Sequence, residues 1–310
     1  MKKNKNRLLI FILLLTTILL VYFYFSKKTS DRVAVQLPLL NQGEGSYFYL
    51  KADIEGMEIP LLVDTGSNMG ISLQTGVLDN IENLKEIGTR QYTDIKGNRY
   101  SSPKYLIDYI EIGDLELRDV VAHVKDPYFI LHGSRIYDTD QAKKAAQLEI
   151  TNKVGAIGTK ILRAHDYWCL DFANNKMYCL RDFNDSVREL DFDTSEFIEV
   201  NFENVNSLIS ISIETDYGTH AFILDTGSCV SIIQPNLIPD LYRKKAVKSY
   251  DFIIGSSNLG PQILKIYDIP PELCCDGVLG VDFLKTRALL INFKDKKIYI
   301  GPSKKELKNH

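Results

Sequence analysis

The chain contains 310 residues, of which 45% are hydrophobic and 25% are charged. These proportions are ordinary for a folded globular protein and exclude a disordered, collagen-like or coiled-coil chain. Six of the 37 Lys and Arg residues and none of the 40 Asp and Glu residues lie in residues 1–28, so the rest of the chain has nine more acidic than basic side chains. So acidic a surface excludes nucleic acid as a partner, because binding to phosphates requires a basic surface.

The first element in chain order is an apolar segment between two groups of basic residues. Four basic side chains precede residues 8–25, which are apolar apart from two threonines, and two lysines follow at residues 27–28. A run of this length is just sufficient to cross a bilayer as a helix. A cleaved signal peptide begins in the same way but ends in small residues, whereas residues 22–25 are aromatic. We therefore predict an uncleaved signal-anchor over residues 1–28, with a cleaved signal peptide as the alternative.

The basic residues also predict the orientation of this segment. More positive charge precedes the apolar run than follows it, which places the N-terminus in the cytoplasm. Residues 29–310 are then expected outside the cytoplasm, in the periplasm or at the cell surface if the protein is bacterial. The chain is thus predicted to be a single-pass membrane protein.

Two later segments of the chain match each other without a gap. Residues 48–67 and residues 209–228 each read as two strands that end in the sequence Asp-Thr-Gly-Ser. In both segments apolar residues alternate with polar ones, the period of two that is typical of a half-buried strand. Internal similarity of this kind indicates two similar units in one chain.

A second matched pair follows further along each unit. Residues 155–162 resemble residues 277–284, and both contain the pattern Gly-x-x-Gly. Each is followed by a further matched stretch with a hairpin pattern, at residues 170–178 and 291–299. The order of strand hairpin, Asp-Thr-Gly-Ser, variable middle, Gly-x-x-Gly, short helix and closing hairpin therefore occurs twice.

These repeats predict an all-β fold of two lobes with short helices, preceded by one transmembrane helix. The first variable middle is predicted to hold a hairpin at residues 109–117 with a two-residue turn, and an inserted helix within residues 138–152. The predicted parts after the anchor are a juxtamembrane linker at 29–41, an N-terminal lobe at 42–181, an inter-lobe linker at 182–196, a C-terminal lobe at 197–301 and a polar tail at 302–310.

Asp64 and Asp225, the acidic residues of the two motifs, are the candidate catalytic residues. The tripeptide Asp-Thr-Gly is expected by chance at about one position in five thousand, yet here it occurs twice, each time between an apolar strand and a serine. Two carboxyl groups a few ångströms apart share one proton, because like charges so close cannot both ionise. The ionised group can take a proton from water while the protonated group hydrogen-bonds a substrate carbonyl. The near symmetry assigns neither role to either residue.

With both motifs and both Gly-x-x-Gly patterns, residues 42–301 resemble the aspartic peptidases of the pepsin and retropepsin type. The resemblance implies the bilobal pepsin-like acid protease fold and an endopeptidase that acts on proteins or peptides. Both lobes lie in one chain, so a monomer is expected to suffice for catalysis. The short, mutually similar lobes resemble in particular the retropepsin-like proteins of bacteria.

Six residues that follow the two aspartates are predicted to support them. The glycines lack a Cβ, so the backbone can turn tightly and bring N–H groups to the carboxylates. The serine hydroxyls can donate to the outer carboxylate oxygens and lower their pKa, which predicts activity that reaches into acid pH. The resemblance implies that the threonines hydrogen-bond across the junction of the lobes. These residues are Thr65, Gly66 and Ser67 in the first motif and Thr226, Gly227 and Ser228 in the second.

A flap that covers the cleft is a further expectation from the resemblance. Its best candidate is the segment 92–100, with Tyr92 at its start and a turn at Gly97. Residues 254–260 are the equivalent candidate in the second lobe. A plain surface turn is the alternative for both segments.

Cysteine and histidine residues predict neither a metal site nor a cofactor. The five cysteines contain no Cys-x-x-Cys pair, and the five histidines are scattered. The odd number leaves at least one cysteine unpaired within the chain. Cys169 and Cys179 flank the first closing hairpin, where either a disulfide or two thiols fits the sequence.

The sequence therefore predicts a membrane-anchored aspartic endopeptidase. The first alternative is a non-catalytic peptide-binding module on the same fold, although loss of activity usually replaces an aspartate or disturbs a glycine of the motif, and both motifs are intact. The second alternative is a structural membrane protein with a duplicated β ectodomain, which requires neither motif.

Overall fold

The computed structural model describes residues 34–38, 47–93, 99–124, 155–239, 245–269 and 271–302. Three predicted features lie outside the described residues, namely the apolar segment at 8–25, the inserted helix within 138–152 and the turn at Gly97. Within the described stretches, no helix combines the length and the apolar character needed to cross a bilayer.

Strands make up most of the described chain, and its helices are short. The first half contains β1 (Ala34–Leu37), β2 (Tyr49–Ile54), β3 (Met57–Asp64), β4 (Ile71–Leu73), α1 (Thr75–Leu78), β5 (Lys85–Thr93), β6 (Arg99–Ile112), β7 (Leu115–Val124), β8 (Gly155–Gly158), α2 (Thr159–Leu162), β9 (Tyr167–Asp171), β10 (Lys176–Leu180) and α3 (Phe183–Glu189).

The second half adds three 3₁₀ helices, one further α-helix and twelve strands. These elements are the 3₁₀ helix Thr194–Glu196, β11 (Ile198–Asn201), β12 (Glu203–Val205), β13 (Leu208–Thr215), β14 (Gly218–Leu224), β15 (Ile232–Ile233), the 3₁₀ helix Pro235–Leu237, β16 (Ala246–Ser249), β17 (Phe252–Ile254), β18 (Ser257–Asn258), β19 (Gln262–Ile266), the 3₁₀ helix Pro271–Leu273, β20 (Gly277–Leu279), α4 (Val281–Leu284), β21 (Arg287–Asn292) and β22 (Lys297–Pro302). The predicted all-β class is confirmed for the described residues.

The first lobe contains a sheet of seven strands in the order β2-β3-β8-β4-β7-β6-β5. Strands β2 and β3 form a hairpin whose turn residues, Glu55 and Gly56, both have positive φ, as a type I′ turn requires. Alternate residues of β2 from Leu50 to Ile54 are fully buried, which agrees with the alternating sequence pattern. The predicted hairpin at 109–117 is present as the two-residue connection between β6 and β7.

The second lobe contains a sheet of nine strands in the order β16-β19-β15-β20-β14-β13-β17-β18, with β12 paired to β13. Its central pairings repeat those of the first lobe. The parallel pairs β3–β8 and β4–β7 correspond to β14–β20 and β15–β19, and the antiparallel pair β4–β8 corresponds to β15–β20. The repeat in the sequence is therefore a repeat in topology.

A third sheet of six strands joins the two halves of the chain. Its order is β1-β10-β9-β21-β22-β11, so the closing hairpins of both lobes lie side by side in it. At the junction, Leu170 of β9 pairs with Leu289 of β21, and both side chains are buried. The closing hairpins thus form a common platform rather than completing two separate lobes.

Both segments predicted as linkers contribute to this platform. Within residues 29–41, strand β1 pairs with β10. Within residues 182–196, helix α3 is capped by the Asp182 carboxylate, which accepts from the Asp185 amide at 2.9 Å, and its Val187 packs against the sheet. Both segments therefore bury apolar residues on the common platform, β1 as one of its strands and α3 against its face.

The register of the hairpin β9–β10 keeps two cysteines from pairing in a disulfide. Cys169 lies opposite Tyr178, and Cys179 lies opposite Trp168. The two cysteines are thus one register position apart, and their side chains point to opposite faces of the sheet. Both are thiols rather than halves of a disulfide. Trp168 is a core residue, as its apolar surroundings in the sequence suggest.

Candidate active site

Each lobe presents an Asp-Thr-Gly-Ser loop at the end of a central strand. Strand β3 ends at Asp64, and β14 ends at Leu224, one residue before Asp225. In each loop the serine amide donates to the carbonyl oxygen of the aspartate at 3.2 Å. The two loops therefore make the same tight turn, as their identical sequences suggest.

The second glycine of each Gly-x-x-Gly pattern lies directly behind one of these loops. A Cβ on Gly158 would lie 2.5 Å from the carbonyl oxygen of Met69, and a Cβ on Gly280 would lie 2.5 Å from that of Val230. Both distances are too short for a real Cβ, so each position requires glycine. The amide after each of these glycines donates to the serine carbonyl of the loop at 2.8 Å. The pattern thus holds each loop against its own sheet.

The two threonines of the motifs join the loops through four hydrogen bonds. The Thr65 amide donates to the Thr226 hydroxyl, and the Thr226 amide donates to the Thr65 hydroxyl, both at 3.0 Å. The Thr65 hydroxyl donates to the Leu224 carbonyl at 2.8 Å, and the Thr226 hydroxyl donates to the Val63 carbonyl at 2.5 Å. Both threonines are 1% exposed. The interlock that the resemblance implies is therefore present and nearly symmetric.

This interlock brings the two candidate carboxyl groups into contact. A Cβ on Gly66 would lie 2.2 Å from the carboxyl carbon of Asp225, and a Cβ on Gly227 would lie 2.7 Å from Oδ1 of Asp64. Each carboxyl group thus lies against the glycine of the opposite loop. The two carboxyl groups also form a hydrogen bond with each other. Both aspartates remain partly exposed to solvent.

The surroundings of Asp225 favour its protonated form. Burial raises the pKa of its carboxyl group above the ordinary value of an aspartate, and the charge of Asp64 raises that pKa further. The Gly227 amide donates to Oδ1 of Asp225 at 2.8 Å and, together with the Ser228 amide, opposes this rise. These surroundings suit a pair that holds one proton between its two members, which stays a prediction.

The predicted role of the serine hydroxyls is wrong for Ser228. Its hydroxyl donates to the carbonyl oxygen of Val230 at 2.8 Å, and a hydroxyl has only one hydrogen to give. Oγ of Ser67 accepts a hydrogen bond from the Met69 amide at 3.3 Å. Backbone amides, rather than the Ser228 hydroxyl, are therefore the donors that act on the Asp225 carboxyl group.

The first flap candidate lies on a long hairpin of the first lobe. Strands β5 and β6 pair from Lys85↔Leu106 to Thr93↔Arg99, with Tyr92 opposite Tyr100. Gly97 falls in the connection between these strands, outside the described residues. The position of Tyr92 on a hairpin strand agrees with a flap, and its role in covering the cleft stays a prediction.

The second flap candidate, residues 254–260, is not the equivalent of the first. Gly255, with a φ of 61°, lies in the turn between β17 and β18, where a Cβ would be 3.4 Å from Ile198 of β11. Its counterpart is Gly113, also with a φ of 61°, where a Cβ would be 2.8 Å from Pro38, the residue after β1. Residues 254–260 therefore correspond to the hairpin at 109–117 and contact the common platform, which supports the alternative of a structural turn.

Sequence reasoning missed a group of residues beside Asp225. The hydroxyl of Tyr47 and the thiol of Cys229 form a hydrogen bond, and burial raises the pKa of Tyr47 far above its ordinary value. The pKa of Cys275 is raised to about 12, chiefly by burial, with a smaller contribution from the charge of Asp225. The position of Cys229 directly after the second motif was the signal available in the sequence.

A second missed group lies beside the first motif. Arg90 of β5 donates through Nη2 to Oδ1 of Asn68 at 3.2 Å. Asn68 in turn donates through Nδ2 to the carbonyl oxygen of Asn206 at 3.2 Å. These contacts join the hairpin of the first lobe, the first Asp-Thr-Gly-Ser loop and the second lobe. In the part of the chain that the structure describes, no group of three or more His, Cys, Asp or Glu residues could hold a metal ion.

Replacement of Thr226 by valine is expected to lower the free energy of unfolding by about 2–4 kcal/mol, because valine leaves the Val63 carbonyl and the Thr65 amide buried without partners. Thr226→Ser keeps the hydroxyl and is the matched control, with a smaller loss expected. Urea unfolding followed by tryptophan fluorescence measures the difference. Equal stability of the valine and serine variants would contradict the importance of the interlock.

Comparisons with known proteins agree with this fold. No protein-family model matches the chain, and no curated protein matches it. The crystal structure of Basic 7S globulin from soybean is similar to it with a TM-score of 0.56 and 9% identity, over 86% of this chain and 94% of that chain. The crystal structure of an aspartic proteinase from Irpex lacteus is similar with a TM-score of 0.54 and 14% identity, over 87% of this chain and 98% of that chain. The chain therefore has the pepsin-like fold that these proteins represent.

Proposed function

We propose that the protein is a membrane-anchored aspartic endopeptidase in which Asp64 and Asp225 activate a water molecule to hydrolyse peptide bonds. The observation that carries this proposal is the contact between the two carboxyl groups, which hydrogen-bond each other across the junction of the loops. The similar structure of the aspartic proteinase from Irpex lacteus offers support from the same fold. Because fold alone does not decide activity, the geometry of the carboxyl pair is the stronger support.

The proposed reaction uses the single proton that the carboxyl pair holds. The ionised group takes a proton from water as the water oxygen attacks the carbonyl carbon of the scissile bond. The protonated group donates to the carbonyl oxygen, which stabilises the charge that develops there. The tetrahedral intermediate then collapses as the C–N bond breaks and the nitrogen takes a proton from the pair. Acid–base catalysis of this kind contributes about 10²–10⁴-fold to the rate.

One chain supplies both halves of this site. The interlocked threonines come from the two lobes of the same molecule, so the proposed enzyme acts as a monomer. Its substrate is a protein or peptide in an extended conformation, and the reaction requires no cofactor.

Asp64→Asn and Asp225→Asn are each expected to reduce cleavage of an unfolded protein by at least about 10²-fold, because an amide can neither take up nor release the shared proton. The measurement compares full-length protein and both variants at several pH values. Asp268→Asn, an exposed position on the second lobe, is the matched control. Cleavage that survives both active-site substitutions would contradict the assignment, and binding of peptides without cleavage by the unmodified protein would favour the alternative of a non-catalytic module.

The pH dependence of kcat/KM is expected to extend above the range of ordinary aspartates. The pair needs one proton, and the raised pKa of Asp225 means that this proton is lost only as the pH rises through a value well above the ordinary one of about 3.9. Activity therefore persists into weakly acidic or neutral solution and falls at higher pH. Ser228→Ala should leave the profile unchanged, because its hydroxyl donates to Val230. Loss of activity as the pH rises through about 4 would contradict this account.

We also propose that residues 1–28 anchor the enzyme in a membrane, with the N-terminus in the cytoplasm and the catalytic lobes outside it. The support is the basic and apolar pattern of the sequence. Full-length protein expressed in bacteria should sediment with membranes and resist extraction by high salt. A protease added outside the inner membrane should digest the lobes, and an N-terminal tag should stay protected. Release of a shortened, soluble chain would instead indicate a cleaved signal peptide.

A further inference from the structure

Three basic side chains share one face of the first-lobe sheet. Lys104 of β6 lies directly opposite His123 of β7. Arg90 of β5 lies opposite Ser102, two residues before Lys104. Because residues two apart on a strand point to the same face, Arg90, Lys104 and His123 are neighbours.

Lys160 brings a fourth basic group to this place. Its amide, in the first turn of α2, donates to the carbonyl oxygen of Met69 at 3.1 Å. Burial lowers the pKa of His123 to about 4, and the charges of Arg90, Lys160 and Lys104 add to this shift, so each of these cations lies near His123. Arg90, Lys104, His123 and Lys160 are called the basic cluster below.

The charges of the basic cluster are not balanced by ion pairs within the described part of the chain. Among the described residues, no ion pair involves Arg90, Lys104 or Lys160. The imidazole of His123 is only 8% exposed, and its Nδ1 has no hydrogen-bond partner within the described stretches. Buried polar atoms are nearly always partnered in folded proteins. Three neighbouring cations that form no ion pair within the described stretches are suited to an anionic ligand.

Arg90 connects the basic cluster to the loop that carries Asp64. Arg90 donates to the side chain of Asn68, which is exposed and lies four residues after Asp64. Asn68 also contacts Asn206 of the second lobe. A peptide whose scissile bond lies at Asp64 therefore has a neighbouring side chain within reach of Arg90.

The corresponding position beside Asp225 carries different side chains. The sequence repeat relates Asn68 to Cys229, because both lie four residues after an active-site aspartate. Cys229 is buried, and its thiol forms a hydrogen bond with the Tyr47 hydroxyl rather than a contact with a cation. The two ends of a nearly symmetric site are thus distinguishable to a substrate.

We propose that the basic cluster is a substrate subsite for a carboxylate, so that the enzyme prefers an Asp or Glu side chain on one side of the scissile bond. This inference rests on the proposed function and adds a substrate class to it. The carboxylate binds through charge-assisted hydrogen bonds from Arg90 and Lys104. The same chemistry also suits a free inorganic anion, which the experiment distinguishes.

The experiment measures kcat/KM for pairs of short peptides that differ only by Glu or Gln, placed in turn at each position on both sides of the scissile bond. At one position the Glu peptide is expected to be cleaved about tenfold better, the value typical of one charged hydrogen bond. Arg90→Gln and Lys104→Gln should each bring this ratio close to one, while cleavage of the Gln peptide persists. Arg90→Lys should restore part of the preference.

Lys265→Gln, an exposed cation on β19 of the second lobe, is the matched control and should keep the full preference. A ratio near one at every position in the unmodified protein would overturn the proposal. A preference that persists in both Arg90→Gln and Lys104→Gln would overturn it as well, because the selectivity would then arise elsewhere.

A second measurement separates this inference from the proposed function. Binding of the same peptide pairs to full-length Asp64→Asn protein, followed by fluorescence anisotropy, does not require turnover. Tighter binding of the Glu peptide, dependent on Arg90, would support the subsite even if no peptide were cleaved. Arg90-dependent binding of inorganic phosphate without any distinction between the peptides would assign the cluster to a free anion and overturn the proposal.

Discussion

The mutual hydrogen bonds of Thr65 and Thr226 are the constraint on which the rest of the site depends. Each hydroxyl accepts from the opposite amide and donates to a carbonyl of the opposite strand, so four backbone groups at the end of two central strands are satisfied by two side chains. Away from water such bonds are strong, and their loss leaves costly unpaired groups. The distance between the two loops is therefore set by threonine geometry rather than by the carboxyl groups, which would otherwise repel each other.

Close approach of the loops has a direct chemical consequence. The glycines after the threonines leave room for each carboxyl group to lie against the opposite backbone. At the junction of the loops, burial and the charge of Asp64 raise the pKa of Asp225, while backbone amides limit the rise. An aspartic proteinase and a globulin have similar structures, so the fold is compatible with more than one function. The carboxyl pair, rather than the fold, is what argues for hydrolysis.

The two lobes are alike around their loops and differ away from them. The pairings around the two loops are the same in both lobes, and Gly113 and Gly255 occupy corresponding turns against the common platform. Away from the motifs the halves differ, with Asn68 and Arg90 at one loop and Cys229 and Tyr47 at the other. A peptide has a direction, and a site with two unlike ends can distinguish the two orientations in which it could bind.

The sequence by itself determined the class of fold, the two lobes and the candidate aspartates with their glycines and threonines, because these depend on a repeated local pattern. It did not determine the common platform, which includes β1 and packs against α3, since pairing between β9 and β21 joins residues more than a hundred positions apart. It also could not assign the Ser228 hydroxyl, for which the nearby carbonyl of Val230 competes with the carboxyl group. Only the tertiary structure placed Lys104 beside His123 and Tyr47 beside Cys229, because contacts between distant strands leave no periodic signal in the sequence.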